Sequence, residues 1–192
     1  MIKEFKQAIE IMVHPSKASN KMDIGQSYGF YYRYAIIPLL AAVIVSGIAV
    51  SAITGLLFGV ITAVGALIEI LAIIPLSIIL GAAYLHLFGY LFKKFKAGFE
   101  GTLAAVVYGT IPALMFYWLI ALISYIKFPI IQFISIIVDI VFGIWGLVVA
   151  IYALSAIHGI SKKAALGVYI VAAVIPLIII LIVVLLFAVA LF

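Results

Sequence analysis

The chain has 192 residues, of which 69% are hydrophobic and 9% are charged, with a formal net charge of +5. A soluble domain carries about 25% charged residues, so this composition excludes an ordinary soluble enzyme or receptor domain. Five stretches contain at most one charged residue each, and each exceeds the roughly 20 apolar residues that a helix needs to cross the hydrocarbon core. The sequence therefore predicts an all-α, polytopic membrane helical bundle.

Residues 1–33 form a polar N-terminal segment on the cytoplasmic side, ahead of the first span. Within residues 2–13, apolar side chains recur every three or four positions, and charged side chains fill the other face: the apolar set is Ile2, Phe5, Ile9, Met12 and Val13. This pattern predicts an N-terminal amphipathic helix that ends at His14-Pro15 and lies on the bilayer surface. A helix packed against the bundle is the alternative. Residues 16–30 are polar and are predicted to be a loop.

Residues 34–192 are predicted to form a transmembrane domain of five helices: 34–57, 67–92, 102–126, 131–157 and 165–190. Aromatic residues around Arg33 indicate an interfacial belt at the start of the first span. Gly55, Gly59 and Gly65 mark the first outer turn, and residues 127–129 mark the second. Four prolines lie within the predicted spans and indicate either fixed kinks or hinges: Pro38, Pro75, Pro112 and Pro176.

The basic residues are distributed unevenly between the two ends of the predicted spans. Ten of the eleven lie in the N-terminal segment or in the two turns that follow spans two and four, and only Lys127 lies at the opposite end. The positive-inside rule then places the N-terminus in the cytoplasm, and an odd number of spans places the C-terminus outside. We expect a multi-pass protein of the cell membrane whose lysines contact anionic headgroups. The basic surface is too sparse for nucleic acid; a protein partner or a homo-oligomer stays open.

Two acids in or beside the apolar stretches are candidate functional residues. Asp139 lies about eight residues into span four, where an ionisable group is rare and is expected to face the bundle interior. It is a candidate for ion or proton handling, and a structural, hydrogen-bonded acid is the alternative. Glu69 lies near the outer end of span two.

Two histidines and the short catalytic motifs are the remaining candidates for chemistry in this sequence. His86 and His158 lie near the inner ends of spans two and four and could meet, but two histidines without a carboxylate or thiol make a poor metal site. The motif HExxH does not occur, and a single buried acid cannot act as a coupled carboxylate pair. We therefore expect no cofactor and no enzymatic activity.

Several short motifs together carry a family resemblance: HPSKA at 14–18, YGTIPAL at 108–114, Trp145, and ALSAIHGISKKAA at 153–165. The chain resembles the Yip family (Ypt/Rab-interacting five-span membrane proteins), especially its short prokaryotic members. The resemblance implies a five-span helical bundle with a cytoplasmic N-terminus. Eukaryotic relatives act in vesicle traffic and bind prenylated Rab-type GTPases. The family's Tyr-Gly and Ile-Pro pairs correspond to Tyr108, Gly109, Ile111 and Pro112, and its Asp-Leu-Tyr-Gly-Pro motif has DIGQSYGF at 23–30 as the nearest text.

Two functional hypotheses follow from these observations. The first is a non-enzymatic integral membrane protein of the Yip type, a scaffold that organises membrane or recruits partners through its cytoplasmic surface. The second is a small transporter or channel that uses Asp139 and the proline-kinked helices. A water-accessible cavity that reaches Asp139 would distinguish the second from the first.

Overall fold

The computed structural model describes residues 2–30, 33, 36–92, 95–124 and 129–191. This part of the chain is helical and contains no strand, which confirms the predicted all-α class. Its elements in chain order are α1 (Ile2–Val13), α2 (Pro15–Ala18), a 3₁₀ turn (Ser19–Lys21), α3 (Ile24–Phe30), α4 (Ile37–Thr54), α5 (Leu56–Ile68), a π-helical stretch (Glu69–Ile73), α6 (Ile74–Leu91), α7 (Gly98–Ser124), α8 (Pro129–His158) and α9 (Lys162–Leu191).

Three stretches among the described residues are long and apolar enough to cross a membrane, judged by length and composition. One is the continuous helix Leu56–Leu91, which comprises α5, the π-helical stretch and α6; the others are Phe133–His158 of α8 and Lys162–Phe187 of α9. α4 contains a shorter apolar stretch, Leu39–Ala52. The number of five spans therefore stays a prediction. The tyrosines predicted to form the aromatic belt, and the turn residues Lys93, Lys94, Lys127 and Phe128, lie outside the described residues.

The first outer turn is tighter than the sequence predicted. Only Gly55 lies at the turn, where its φ of 94° and ψ of 158° fall in a region that is essentially restricted to glycine. Gly59 and Gly65 lie inside α5, so their assignment to the turn is wrong. A Cβ at Gly59 would come within 2.8 Å of the Cα of Ser51. This glycine therefore allows the backbones of α4 and α5 to meet as an antiparallel pair.

The four prolines occupy different structural positions. Pro38 is the second residue of α4, and Ile36 before it is also in helical conformation. Pro75 directly follows the π-helical stretch, which relieves the clash of a proline ring with the preceding turn. Pro112 and Pro176 lie inside α7 and α9, as predicted.

The N-terminal segment folds back onto the bundle. α1 forms where the sequence predicted a helix, whereas the predicted loop over 16–30 contains α2, the 3₁₀ turn and α3. The buried residues Ile11, Pro15, Ala18 and Met22 recur every three or four positions. Of the predicted apolar face, Ile9 and Val13 are exposed and Met12 is partly buried, while the side chain of Phe5 lies outside the description. Packing against the bundle thus determines which face of α1 is buried.

The main hydrophobic core lies between the N-terminal segment and helices α6 to α9. Its buried members are Ile11, Ala18, Met22, Leu85, Phe88, Ala105, Tyr108, Ile111, Val149, Ala153, Leu154, Ala165, Val168 and Ala172. A smaller core joins α4 to the continuous helix through Ile36, Leu39, Val43 and Ile70. By contrast, every residue from Leu177 to Phe187 of α9 is exposed. A bilayer would cover this uninterrupted apolar surface.

Candidate functional site

Tyr108 of α7 binds the backbone N–H and the backbone carbonyl of Asp23, the residue just before α3. The side chain of Tyr108 is fully buried. The phenolic O–H donates to the carbonyl oxygen of Asp23 at 2.9 Å, and the phenolic oxygen accepts from the Asp23 N–H at 3.2 Å. A tyrosine hydroxyl can both donate and accept, so one side chain satisfies a backbone donor and a backbone acceptor. The two segments compared above with the family motifs, 23–30 and 108–112, are therefore in direct contact.

α3 lies along the first part of α7. Its Ser27 is fully buried and donates its hydroxyl to the carbonyl of Ile24 at 2.7 Å, which satisfies the polar group locally. Burial and the nearby Glu100 carboxylate raise the pKa of Tyr28. α3 thus packs along α7, with the Tyr28 hydroxyl near the Glu100 carboxylate.

α1 is attached to the rest of the N-terminal segment and to α8. The Gln7 amide donates to the side-chain oxygen of Gln26 at 2.9 Å, and Lys21 forms an ion pair with Glu10 at 2.9 Å. The indole N–H of Trp145 donates to the carbonyl of Met12 at 2.6 Å. Carbonyls in the last turn of a helix lack intrahelical partners, so Trp145 satisfies one of them. We call residues 2–30, as held by these contacts, the N-terminal layer.

Gly109 and Gly146 allow α7 and α8 to cross closely beneath the N-terminal layer. A Cβ at Gly109 would lie 2.6 Å from the Cβ of Ala150, and a Cβ at Gly146 would overlap the carbonyl oxygen of Gly109. Pro112 is buried one turn further along α7. The candidate residues Tyr108, Gly109 and Pro112 are thus brought together: Tyr108 positions the N-terminal layer, and Gly109 sets the helix crossing.

The two histidines meet at the inner end of the bundle through a threonine that the sequence did not single out. The side-chain oxygen of Thr102 lies 2.7 Å from Nδ1 of His86 and 3.1 Å from Nε2 of His158. Nδ1 of His158 accepts the Ala97 N–H at 3.2 Å, so the proton of this imidazole is on Nε2, which donates to Thr102. The Thr102 hydroxyl is then free to donate to His86. The Phe95 ring stacks on His158 with the centroids 4.2 Å apart.

This chain of hydrogen bonds is suited to structure rather than metal binding, because Thr102 and Ala97 occupy both nitrogens of His158 and one of His86. Among the described residues, no group of three or more His, Cys, Asp or Glu could hold a metal ion. The cluster fixes the turn after α6 against the ends of α7 and α8.

The two candidate acids lie apart from this site. Asp139 is exposed in the outer half of α8, so the expectation that it is shielded in the bundle interior is wrong. Glu69 is exposed at the start of the π-helical stretch. The sequence predicted an interior position for Asp139 because a polar group in a span is usually shielded from lipid. Asp139 lies two turns before Gly146 on the same face of α8, but among the described residues of this helix burial begins only at Gly146.

An interhelical cavity of about 570 Å³ lies between α6, α7, α8 and α9. Its lining, mostly apolar, consists of Ile74, Ser77, Ile78, Gly81, Tyr84, Leu85, Val106, Gly109, Thr110, Ala113, Phe142, Gly143, Gly146, Leu147, Ala150, Tyr169, Ala172 and Ala173. Neither Asp139 nor Glu69 belongs to this lining. Sequence reasoning missed the cavity, since its walls are small or apolar residues that carry no motif.

Sequence reasoning also missed the partners of the site residues. Trp145 was noted only as part of a resemblance, and neither Met12 nor Asp23 offers a signal, since each acts through its backbone. A fully buried tyrosine in an apolar helix must find a hydrogen-bond partner, but the sequence does not say which. The partner lies 85 residues away.

The family model described as the Yip1 domain matches residues 9–189, which includes the N-terminal layer from Ile9 onward as well as the bundle. The chain belongs to the Yip1 domain family. The predicted resemblance is therefore confirmed. No curated protein and no solved structure matches the chain.

Proposed function

We propose that this Yip1-domain chain is a non-enzymatic, multi-pass membrane scaffold whose N-terminal layer is a cytoplasmic surface for organising membrane and recruiting partners. The observation that carries the proposal is the fixed attachment of this layer by Tyr108 and Trp145. A flexible tail would present its charges in many arrangements, whereas a docked layer presents them in one. Family membership supports the membrane location.

The N-terminal layer also suggests where the bilayer boundary lies. Lys17, Lys21 and Asp23 are exposed, and charged groups are costly in hydrocarbon. The layer contacts α7 at Tyr108 and α8 at Trp145, so we place the cytoplasmic boundary at the level of these two residues. From Tyr108 to the end of α7 the helix rises by roughly 24 Å, close to the hydrocarbon thickness of about 30 Å. Trp145 then occupies the interface that tryptophan prefers.

Exposed lysines on the N-terminal layer and at the inner helix ends form the working surface in this proposal. They are Lys6, Lys17, Lys96, Lys162 and Lys163. Each cation near an anionic leaflet contributes on the order of 1 kcal/mol of attraction. We therefore propose anionic headgroups of the cytoplasmic leaflet as the first partner, with a protein partner or a second copy of this chain bound to the same surface.

Lipid recruitment tests this surface directly. Energy transfer from the protein's tryptophans to a fluorescent phosphatidylserine, measured in proteoliposomes, should exceed transfer to fluorescent phosphatidylcholine. Lys6→Glu with Lys17→Glu should remove the difference, while Lys127→Glu, at the predicted opposite end, should keep it. Rising salt should weaken recruitment, because exposed charges are screened within about 10 Å at 0.1 M ionic strength. Equal transfer to both lipids would contradict the proposal.

Five spans, a cytoplasmic N-terminus and an outside C-terminus complete the proposed topology. A reporter that is active only in the cytoplasm should be silent when fused after Phe192. Activity at that position would mean that the chain has one span fewer or that the bundle has the opposite orientation in the membrane. The scaffold also predicts that Asp139→Asn has no effect on proton or ion flux in proteoliposomes. A flux that the substitution abolishes would favour a transporter instead.

A further inference from the structure

The interhelical cavity has two chemically different ends. α7 and α9 run away from the N-terminal layer, while α6 and α8 run back towards it. The position of a lining residue along its helix therefore shows how far it lies from the N-terminal layer. Tyr84, Leu85 and Tyr169 lie at the inner end, near the level of Tyr108, and Ile74, Ala113 and Phe142 lie at the outer end. Both tyrosines of the lining are therefore at the end nearest the cytoplasmic boundary, and the opposite end is apolar.

The hydroxyl of Tyr169 makes no hydrogen bond within the part of the chain that the structure describes. The other hydroxyls of the lining donate to backbone carbonyls: Tyr84 to Ala172 at 3.0 Å, Thr110 to Val107 at 2.8 Å and Ser77 to Ile74 at 2.8 Å. A polar group enclosed by apolar atoms costs stability unless it has a partner. A molecule inside the cavity that accepts a hydrogen bond from the Tyr169 hydroxyl would therefore stabilise the protein.

Water fits this cavity poorly. A buried water needs two to four polar partners, and the inner end offers one free donor among mostly apolar walls. The volume of about 570 Å³ lies in the range of small-molecule sites. Gly81, Gly143 and Leu147 line the cavity and are also exposed on the outer surface of the bundle. The cavity thus continues laterally into the surface that a bilayer would cover.

We propose that the interhelical cavity binds one acyl chain of a phospholipid from the cytoplasmic leaflet. The ester carbonyl accepts the hydrogen bond of Tyr169, and the chain end lies between Ala113 and Phe142. An apolar chain with one acceptor at its inner end matches both the walls and the free hydroxyl. The direction of the chain, headgroup inward, rests on the bilayer position proposed above.

Photo-cross-linking in proteoliposomes tests the site. Two phosphatidylcholines are used, one with a diazirine near the ester and one with a diazirine near the chain end, and the adducts are mapped by mass spectrometry. The first lipid should label Tyr169 and Leu85, and the second should label Ala113 and Phe142. A fatty acid with the same diazirine serves to separate a phospholipid chain from a free acid. Labelling of the cavity by the fatty acid alone would overturn the phospholipid assignment.

Glycines offer matched variants. A Cβ at Gly81, Gly143 or Gly65 meets nothing within 4 Å, and only the first two line the cavity. Gly81→Leu with Gly143→Leu should lower labelling of the cavity residues several-fold, whereas Gly65→Leu on α5 should leave it unchanged. Tyr169→Phe removes only the hydroxyl and should lower retention of the lipid in native mass spectrometry by about fivefold, the size of one net hydrogen bond.

Two outcomes would overturn the proposal while leaving the membrane topology intact. One is even labelling of all exposed helix faces, with Gly81→Leu/Gly143→Leu and Gly65→Leu behaving alike, which is the pattern of ordinary surrounding lipid. The other is a reversed order of labels, which would place the headgroup at the outer end. Failure of the proposed membrane scaffold would appear separately, in the reporter at the C-terminus and in the recruitment of anionic lipid.

Discussion

The phenolic oxygen of Tyr108 lies 2.9 Å from the carbonyl oxygen of Asp23 and 3.2 Å from its backbone nitrogen. These two hydrogen bonds join the third helix from the C-terminal end to the N-terminal layer across 85 residues. Asp23 and Tyr108 lie in segments 23–30 and 108–112, the two that are compared with family motifs above. These two segments therefore meet at a structural joint in this chain.

Tyr108→Phe should release this joint. The substitution keeps the ring in the core and leaves the Asp23 N–H and carbonyl without their partner, which costs about 1–3 kcal/mol when such groups stay buried. The free energy of unfolding in mixed micelles should fall by that amount, and amide hydrogens around Asp23 should exchange faster. Tyr90→Phe, at an exposed position of α6, is the control. Unchanged exchange around Asp23 would show that the joint does not hold the layer.

Gly146→Ala should disturb the crossing of α7 and α8. The added methyl group would overlap the carbonyl oxygen of Gly109, and forcing the backbones apart costs about 1–3 kcal/mol. Gly143→Ala, one turn earlier on α8, is the matched control because its Cβ meets nothing within 4 Å. The control should be neutral or more stable, since alanine favours helix by about 1 kcal/mol over glycine. Equal thermal stability of the two variants in detergent would refute the close crossing.

Thr102→Val should break the contact between the two histidines. Valine keeps the shape of threonine but removes the hydroxyl that bridges His86 and His158, and a buried imidazole N–H left without an acceptor costs about 1–3 kcal/mol. Thr62→Val is the control, because the hydroxyl of Thr62 only donates to a carbonyl four residues earlier in α5. The difference in denaturant midpoint between the two variants measures the bridge. No difference would mean that the histidines are held by packing alone.

The class of the fold was predictable because long apolar runs permit only helices in a membrane. The positions of α7, α8 and α9 follow the predicted spans closely for that reason. Finer features depend on what each helix contacts. Sequence periodicity assigned Ile9 to the buried face of α1, but Ile11 is buried instead, because Ile11 belongs to the hydrophobic core that the N-terminal layer shares with α6 to α9.

Three other errors have similar causes. The segment 16–30 is rich in weak helix formers, yet it becomes helical where docking onto α7 and α8 compensates for low propensity. Glycine at a turn and glycine at a close contact look alike in sequence, so Gly59 was placed in the turn that Gly55 makes alone. A polar residue in an apolar run indicates an interior position only on average, and Asp139 is exposed.

Cross-linking in intact membranes tests the docked N-terminal layer most directly. The chain has no cysteine, so Met12→Cys and Trp145→Cys introduce the only two thiols, at positions that are in contact in the native fold. A short bifunctional maleimide should join them within one chain in high yield, because Tyr108 still holds Asp23. Met12→Cys paired with Ile178→Cys on the exposed outer half of α9 should not cross-link. Equal yields for the two pairs, or none for the first, would contradict a layer fixed on the bundle.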